Sequence, residues 1–596
     1  MKKIISFVVF FNFFILALFC QASVDPNHYI YDQIRIWEIK GIVDGKIIPP
    51  LRPYKLSNLN EILETVIKNG DTKDVDIAKS YYEELNGKSW NISLENLFDG
   101  KISSEQKDFM YSINPKFYGD LSFANNFISY GYKIAFINRT GDNSTFLPLY
   151  ESYQYNTTYD EGIIGPFKSY LDSDQILSVG NNRVFGQAGI YRSAYGNYLK
   201  DNLAISENSH HAGNFSVTYM NDTISYSQQV SMIGATKAYD GSGLKANKYS
   251  NFHQITFHIS PIFDFIYYET IILGKRFDPI YLSPVLYMAA QGIGGYDDNL
   301  QMGMAIKLKP VNNFQFAFDI FADDLDFNKL VKFNFQGRHR FAIKSGISYT
   351  PANFFFSKID LDYTLITPYT YSHYQGNDED DLIDTGIYNY QDGTNFGKHI
   401  GTIYDPNSDV ISLTFDFNPL PGFYIQFINS FVRHGNVCEN YSDGEILQLL
   451  QADYGQYATD GSIFTHQIYG GKQNVIQTAQ DYLNFLNQNH IMYLVKSQIK
   501  LTYNLPNLWK TFSIALNADY KFVYVHNYGI SDNLYPGGEI VYNSQSSTYV
   551  WNKKSYSKEE LEANQEVIAN YYKEKWINNL TNIIENYFSL GITLKF

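Results

Sequence analysis

Acidic side chains near the middle of the chain are the first residues that suggest chemistry. Asp323 and Asp324 are followed closely by Asp326. Glycoside hydrolases work with two carboxyl groups, so this pattern raises the question of a hydrolytic site. Neighbouring residues of a β-strand point to opposite faces, however, and adjacency alone does not create a catalytic pair. We therefore expect no enzymatic activity.

A second acidic segment, residues 377–384, reads NDEDDLID and offers oxygen ligands of the kind that Ca²⁺ prefers. It lacks the spaced glycine of a calcium-binding loop, so we interpret it as a solvated loop. The adjacent His210 and His211 show no metal-ligand spacing. Cys438 would be the only thiol after removal of a leader that contains Cys20, which excludes an internal disulfide. We expect no metal and no cofactor.

The composition indicates an exported membrane protein rather than a cytosolic enzyme. Of the 596 residues, 17% are aromatic and only 18% are charged, with 52 tyrosines and 44 phenylalanines. Aromatic residues suit a lipid-facing wall with belts at both interfaces. The formal net charge of −15 argues against nucleic acid as a partner. No apolar run after the leader reaches the length of a membrane helix, so a spanning structure would have to be a β-barrel.

The leader itself, residues 1–22, has the features of a secretory signal peptide. Two lysines at the start precede an apolar run that ends at Phe19, and small residues favour cleavage after Ala22. Lipidation of Cys20 is the alternative, but the bulky Phe19 just before it disfavours that reading.

Helical periodicity marks the next part of the chain. One helix is expected before Gly41, a second between Ser57, which would cap it, and Gly70, and a third from Val75 to Leu85. We assign residues 23–113 to a small periplasmic helical subdomain.

From Asn114 onward, apolar and polar residues alternate, as they do in strands that bury one face. In one such strand Lys358, Asp360 and Asp362 share a face, which predicts a polar interior. A soluble sandwich would keep such charges out of its core. Alternation of this kind favours a barrel with lipid outside, formed by residues 114–596.

The last eleven residues, NYFSLGITLKF, alternate most clearly and resemble the closing strand of bacterial outer-membrane barrels. We expect this strand to pair with the first one and its aromatic end to be read by the assembly machinery of that membrane. The residues assigned to closure and assembly are Phe588, Leu590, Gly591, Ile592, Leu594 and Phe596.

Connection lengths support a barrel because short turns alternate with long loops. Short turns are predicted at Leu505-Pro506-Asn507 and at Pro419-Leu420-Pro421-Gly422, for example. Long external loops are predicted at about 368–407, 436–489 and 526–585. The alternation breaks before Arg183, so we predict 16–18 antiparallel transmembrane strands, with 18 preferred.

Five patches of sequence stand out between about residues 28 and 435. They are Tyr31 to Gly41 with Arg52-Pro53, Arg192-Ser193-Ala194-Tyr195-Gly196 with 203–209, Asp297-Asp298-Asn299 with Gly303, Pro310 before a strand ending in Asp323-Asp324, and 401–408 leading into Ile411 to Phe417. As a set they resemble the capsule-assembly outer-membrane barrels of the Wzi type. This resemblance implies a barrel in the cell outer membrane that binds surface polysaccharide and carries a periplasmic helical part. We also expect a monomer.

Three functions follow as hypotheses. The first is a non-enzymatic barrel in outer-membrane lipid that binds or organises capsular polysaccharide. The second is a porin or substrate-specific channel, and the third is a surface adhesin or antigen that uses its loops. For the first, the predicted ligand contacts are loop tyrosines together with Arg192, Tyr195, Asp297, Asp298, Asn299, Asp323 and Asp324.

Overall fold

Eighteen antiparallel strands pair in chain order and close into a barrel. The computed structural model describes residues 24–86, 90–104, 106–124, 126–141, 146, 162–237, 244–274, 276–284, 286–294, 298–325, 332, 339–352, 356–372, 388–435, 442–451, 460–463, 485–509, 512–530 and 538–596. The predicted signal peptide, Cys438 and the acidic segment at 377–384 lie outside these residues.

The barrel strands all take part in one sheet. They are β1 (Trp90–Ser103), β2 (Lys107–Phe123), β3 (Ile128–Arg139), β4 (Phe167–Gly180), β5 (Val184–Tyr191), β6 (Ala212–Met220), β7 (Ile224–Lys237), β8 (Leu244–Ser260), β9 (Phe263–Gly274), β10 (Asn299–Val311), β11 (Phe314–Asp324), β12 (Arg340–Tyr349), β13 (Lys358–Ile366), β14 (Ser408–Leu420), β15 (Phe423–His434), β16 (Met492–Trp509), β17 (Phe512–Tyr528) and β18 (Thr581–Lys595). The preferred count of 18 is confirmed.

Helices lie before the barrel and within its longer connections. They are α1 (Tyr29–Ile39), α2 (Leu56–Asn69), α3 (Thr72–Leu85), α4 (Tyr287–Gly294), α5 (Asp443–Leu449), α6 (Lys558–Ala563) and α7 (Gln565–Asn579). Within the described residues, no helix combines the length and apolar character required of a membrane span.

The last strand closes the barrel as predicted, because β18 pairs with both β1 and β17. Phe588 lies opposite Gly100 in this register, and the amide of Phe596 donates to the carbonyl of Ile92 at 2.8 Å. A side chain at position 100 would overlap the ring of Phe588, so glycine is what lets that ring lie across the closing pair.

The two faces of the wall differ as the alternation predicts. Large apolar side chains point outward and are exposed on every part of the wall, whereas the alternate positions are polar or small. Lys358 and Asp360 both point inward and are buried. Outward-facing examples are Phe98, Phe117, Phe136, Phe215, Met304, Leu361, Ile411 and Leu590. An apolar exterior around a polar interior is the arrangement of a transmembrane barrel.

Connections have at most eight residues at one end of the barrel, and at the other end they are longer, apart from the turn between β1 and β2 and the six residues between β7 and β8. The predicted alternation is therefore correct, although two details are not. The turn placed at Leu505-Pro506-Asn507 lies inside β16, where the pairing with β17 is irregular between Leu505 and Trp509. The alternation of short and long connections does not break before Arg183, because β4 begins at Phe167 and supplies the strand that the prediction lacked there.

The barrel also begins earlier than predicted, at Trp90 rather than Asn114. The first strand escaped notice because its alternation is broken: Asn96 lies on the outward side and Leu97 on the inward side, and Gly100 has no side chain to mark a face. Residues 90–113 thus belong to the barrel wall rather than to the helical N-terminal part.

Three helices form that N-terminal part, close to the predicted positions. Their shared core includes Ile34, Trp37 and Leu63. The helix expected to be capped by Ser57 begins instead at Leu56, after Lys55, without a side-chain cap. Gly41, at φ +77°, ends the α1 region and lies against Asn312 in the turn between β10 and β11.

These helices are not a separate subdomain ahead of the barrel, since they cover its short-turn end. The amide of Asn313 donates to the carbonyl of Ile39 at 2.8 Å, and Asn58 donates to the carbonyl of Asn182 at 2.9 Å. Lys595, at the end of β18, lies 2.9 Å from Glu84 of α3. Contacts to turns around the rim fix the helices across this opening.

Candidate binding site in the barrel lumen

One stripe of α1 is charged and faces the interior of the barrel. Asp32, Arg35 and Glu38 recur every three residues and therefore share a side of the helix, while Ile34 and Trp37 pack on α2 and α3. The sequence pattern that makes α1 amphipathic thus turns its acids and its arginine toward the wall.

Each charge of this stripe meets an opposite charge in the lumen. Arg35 lies 3.2 Å from Asp360 of β13, and both side chains are buried. Glu38 lies 2.6 Å from Lys307 of β10. Burial of unpaired charges is very costly, so these pairs fix the position of α1 against the wall.

Lys358 collects several of these charges at one point. Its ammonium lies 2.6 Å from Asp360, 3.0 Å from Asp416 and 3.9 Å from Asp32, and the side chain is fully buried. A single cation thereby holds two strands and α1 together.

A second segment that enters the lumen is residues 192–211, the connection between β5 and β6. Ala194 and Tyr195 pair with the two-residue strand Leu51–Arg52. Tyr195 also packs on Phe252 of β8 at 4.9 Å and on Tyr268 of β9 at 5.4 Å between ring centroids. The connection therefore folds inward and joins the N-terminal segment.

A third inward segment is the described part of the connection between β13 and β14, residues 367–372 and 388–407. The amide of Ser206 donates to the carbonyl of Ile400 at 2.8 Å, and the hydroxyl of Tyr371 donates to the carbonyl of Leu203 at 2.8 Å. Together with α1 and residues 192–211, this segment lies inside the barrel. We call these three parts the plug.

Loop tyrosines that were expected to meet a ligand belong to this packing. Tyr369, Tyr371 and Tyr390 are all buried. Tyr374, Tyr454 and Tyr457 lie outside the described residues. The structure describes the backbone of Tyr388 but not its side chain. The buried tyrosines are therefore core residues of the plug and do not face solvent.

A cavity of about 520 Å³ remains between the plug and the wall made by β12 to β17. From the plug it is lined by Tyr29, Asp32, Arg35, Lys200, Lys398 and His399, and from the wall by Lys344, Asp360, Asp362, Tyr424, Lys496, Lys500, Asp519 and Lys521, among others. Its size falls within the roughly 300–1,000 Å³ of ordinary ligand sites.

Most carboxylates around the cavity already have cationic partners. Asp32 lies 2.9 Å from Lys200, and Asp362 lies 3.5 Å from Lys344. Burial raises the pKa of Asp32, but the charges of Lys200 and Lys358 outweigh this effect and leave that pKa lowered overall. The acid therefore stays ionised and contributes no spare negative charge to the cavity.

His399 lies at the edge of the cavity. Burial lowers the pKa of His399, but the hydrogen bond and the charge of Asp405, 3.2 Å away, outweigh it and raise the pKa overall. The contact with Asp405 holds the imidazole of His399 against the connection between β13 and β14, to which both residues belong.

The predicted ligand residues lie elsewhere. Tyr195 is only 1% exposed and packs in the aromatic cluster. Arg192 is half-buried at the start of its inward connection. Asp298 accepts hydrogen bonds from Arg276 at 2.5 Å and from Tyr281 at 2.9 Å, which fixes the connection that contains α4.

The remaining predicted residues also serve local contacts. Asn299 donates to the carbonyl of Gln391 at 2.7 Å, and Asp323 accepts from Gln301 at 3.0 Å. Asp324 pairs in register with Arg340, but its side chain is not described. Asp297 lies outside the described residues. None of the described members of this set lines the cavity.

The lysines of β16 and β17 were missed by sequence reasoning although a signal was present. Lys496, Gln498 and Lys500 occupy alternate positions of β16, and Asp519 and Lys521 do so on β17. Because alternate positions share a face, this pattern already placed them together inside a barrel. The sequence pattern does not show where the plug lies in the barrel.

Within the described part of the chain, no group of three or more His, Cys, Asp or Glu side chains is arranged to hold a metal ion. The carboxylates near the cavity are held by lysine, arginine and amide groups instead.

Among the comparisons with known proteins, the one with solved structures found matches. No family model and no curated protein matches the sequence. Wzi of Escherichia coli, an outer-membrane protein involved in group 1 capsule assembly and described as a carbohydrate-binding β-barrel, is 8% identical, with 96% of this chain and 99% of that chain covered and a TM-score of 0.49. OprD of Pseudomonas aeruginosa is 8% identical, with 85% and 93% covered and a TM-score of 0.38. OccK5 (OpdH) of the same organism is 7% identical, with 85% and 98% covered and a TM-score of 0.40.

Proposed function

We propose that this protein is an outer-membrane barrel that binds or organises surface polysaccharide, without catalysis and without bulk transport. The observation that carries the proposal is the filled lumen. The α1 helix is anchored to the wall by buried ion pairs, Lys200 of residues 192–211 lies 2.9 Å from Asp32 of α1, and residues 388–407 pack on residues 192–211. A barrel with its interior occupied by its own chain is suited to hold a ligand and poorly suited to pass one.

The chemistry of the cavity supports a saccharide as the ligand. Sugars are bound by hydroxyl and amide groups that fix orientation and by aromatic faces that cover their apolar sides. The rings of Tyr29 and Tyr424 stack at 5.5 Å and both line the cavity. Polar groups on the neighbouring wall are Ser412, Thr414, Gln426, Ser430, Gln498 and Thr502.

The proposal includes an orientation of the barrel in the outer membrane. The short-turn end, with α1 to α3 and the end of β18, faces the periplasm, and the end with the longer connections faces outward. An exported chain would be inserted by the outer-membrane assembly machinery, which would read the closing strand that ends at Phe596, and would act as a monomer.

Polysaccharide retention on cells tests this proposal. Deletion of the gene in its own host is expected to release surface polysaccharide from cells into the medium, and the unaltered gene is expected to restore retention. The fraction of cell-bound polysaccharide is the measurement. Equal retention with and without the protein, in cells whose outer membrane is otherwise intact, would contradict the proposal.

A second function is favoured by one observation, the charged groups that line the cavity along β16 and β17. Charges of this kind set selectivity in substrate-specific channels. Single-channel recording separates this alternative from the first.

An adhesin that uses only its loops is the third alternative. Deletion of residues 436–489 would then abolish partner binding while polysaccharide retention stays intact.

A further inference from the structure

The connection between β9 and β10, residues 275–298, folds over the outside of the barrel wall. We call it the α4 connection. The buried face of α4 belongs to one apolar cluster with Ile271 and Leu273 of β9. These two residues share a side of β9 with Phe265, whose ring stacks on that of the exposed Phe257 of β8. The α4 connection therefore lies against the outward side of the wall.

Polar side chains of this outward side lie beneath the α4 connection. His253 of β8 and Glu269 of β9 stand opposite each other in register and approach to 2.8 Å between Nε2 and Oε2. Both are buried, and Asn251, the next outward residue of β8, is fully buried as well. On a bare wall these groups would face lipid hydrocarbon, which offers polar groups no partners. The α4 connection supplies a protein cover for them.

The height of these polar groups places them within the span of the membrane. Ile259, near the short-turn end of β8, is exposed on the outward side. His253 lies six residues before it in the strand. At about 3.3 Å per residue and a tilt of about 40°, that separation is about 15 Å along the membrane normal. The apolar band of a transmembrane barrel is roughly 25 Å tall, so His253 lies inside it.

Hydrogen bonds and ring packing hold the α4 connection against the wall. The backbone amide of Tyr287 donates to Glu269 at 2.6 Å, and the ring of Tyr287 stacks on that of His253 at 4.0 Å between centroids. The side chain of Gln228, on β7, donates to the carbonyl of Tyr281 at 2.9 Å. The connection is thus attached to three strands and does not extend away from the barrel.

The opposite side of the α4 connection is apolar and exposed. Residues 279–294 contain no Asp, Glu, Lys or Arg. Ile293 is 85% exposed and Met288 is 53% exposed, and Leu282 and Leu286 are exposed beside them. A contiguous apolar surface of this kind marks a contact with a membrane or with another protein.

We infer that the hydrocarbon of the membrane covers this surface, in the leaflet on the side of the longer connections. The surface continues the lipid-facing wall, since Met304 of β10, opposite Tyr267 in register, is exposed on the same outward side. The α4 connection lies in that leaflet, in the place that lipid chains would otherwise occupy beside β8 and β9. This contact with lipid goes beyond the proposed binding of polysaccharide and does not depend on it.

Site-directed spin labelling in a lipid bilayer tests the inference. A nitroxide is attached to Met288→Cys in a chain that carries Cys438→Ser and lacks residues 1–22, with one copy in each nanodisc of dimyristoylphosphatidylcholine. Oxygen dissolves in hydrocarbon, whereas a nickel chelate stays in water. The label is expected to collide more often with oxygen than with the chelate.

Two further labels calibrate this measurement. Met304→Cys reports on the lipid-facing wall, and Ser546→Cys reports on an exposed polar turn of the connection between β17 and β18. The label at position 288 is expected to resemble the label at 304 and to differ from the label at 546, which should favour the chelate. All three side chains are exposed, so the label displaces no packed group. Circular dichroism verifies the fold of each variant, and Ile293→Cys provides a second site on the same surface.

Two results would overturn the inference. The first is access of the chelate to positions 288 and 293 that equals its access to position 546, since water would then cover the surface. The second is exclusion of the chelate only from nanodiscs that hold two copies, which would assign the surface to a second copy of this chain. Neither result bears on retention of polysaccharide by cells, which judges the proposed function separately.

Discussion

Arg35 of α1 and Asp360 of β13 approach to 3.2 Å between Nη2 and Oδ1, inside the barrel and away from solvent. Lys358 lies behind the same carboxylate, 2.6 Å away. An N-terminal helix is thereby joined to a strand more than 300 residues later in the chain. The contact shows that the barrel interior is built from the plug and the wall together.

Loss of Lys358 is expected to destabilise the protein more than loss of Arg35. Lys358→Met leaves Asp416 without its cation and weakens the surroundings of Asp360, which costs about 3–5 kcal/mol of unfolding free energy. Arg35→Met leaves Lys358 beside Asp360 and costs less. Urea unfolding in detergent, followed by tryptophan fluorescence, measures the difference.

The control for this comparison is Lys558→Met. Lys558 forms an exposed pair with Glu562 at 3.9 Å, and such pairs contribute at most about 1 kcal/mol. Equal losses for Lys358→Met and Lys558→Met would show that the buried network does not stabilise the plug.

Acid is expected to loosen α1 through Glu38. Burial raises the pKa of Glu38, but the charges of Lys307 and Lys309 outweigh this effect and the opposing charge of Asp264, so the pKa lies below the ordinary value of 4.5. A lowered pKa contributes stability that is present above 4.5 and is lost as pH falls through the lower pKa of the folded state.

Hydrogen exchange of the α1 amides measures this loss as the pH falls below 4.5. Protection is expected to decrease with pH in the unaltered protein, after correction for the intrinsic exchange rate, and to depend less on pH in Glu38→Gln. A pH dependence that is identical in both proteins would exclude Glu38 as the responsible group.

Gly303 is expected to tolerate no side chain. A methyl group there would overlap the ring of Tyr268, which is fully buried, packs on Tyr195 and donates to Asp319 at 2.7 Å. Gly303→Ala should therefore cost about 1–3 kcal/mol of unfolding free energy by overpacking. Gly292→Ala, in α4, meets no atom within 4 Å and is the matched control, with an expected change of zero or a gain of up to about 1 kcal/mol. Thermal unfolding of both variants decides the matter, and equal midpoints would contradict the packing argument.

Much of the barrel was predictable because apolar and polar residues alternate along its strands. The strand that ends at Lys595 alternates strictly, and it pairs with β1 as expected. Lys358 and Asp360 were expected to face a polar interior, and they do. The strand that begins at Trp90 was missed because Asn96 and Gly100 interrupt its apolar side, so periodicity alone could not mark it.

The candidate site was much less predictable, since it depends on contacts that are distant in sequence. Helical spacing predicted α1, but nothing local revealed that Arg35 would meet Asp360. The inward fold of the segment that contains Tyr195 was equally hidden, because a buried aromatic cluster and an exposed binding loop have similar compositions. The cavity lies between these parts and could be located only once the plug was known.

Ion conductance tests the central claim most directly. The purified protein is reconstituted into planar lipid bilayers, its insertion is verified, and current is recorded at constant voltage. A barrel filled by α1, residues 192–211 and residues 388–407 is expected to give no steady current. Long-lived current steps from the unaltered protein would contradict the account and would favour a channel.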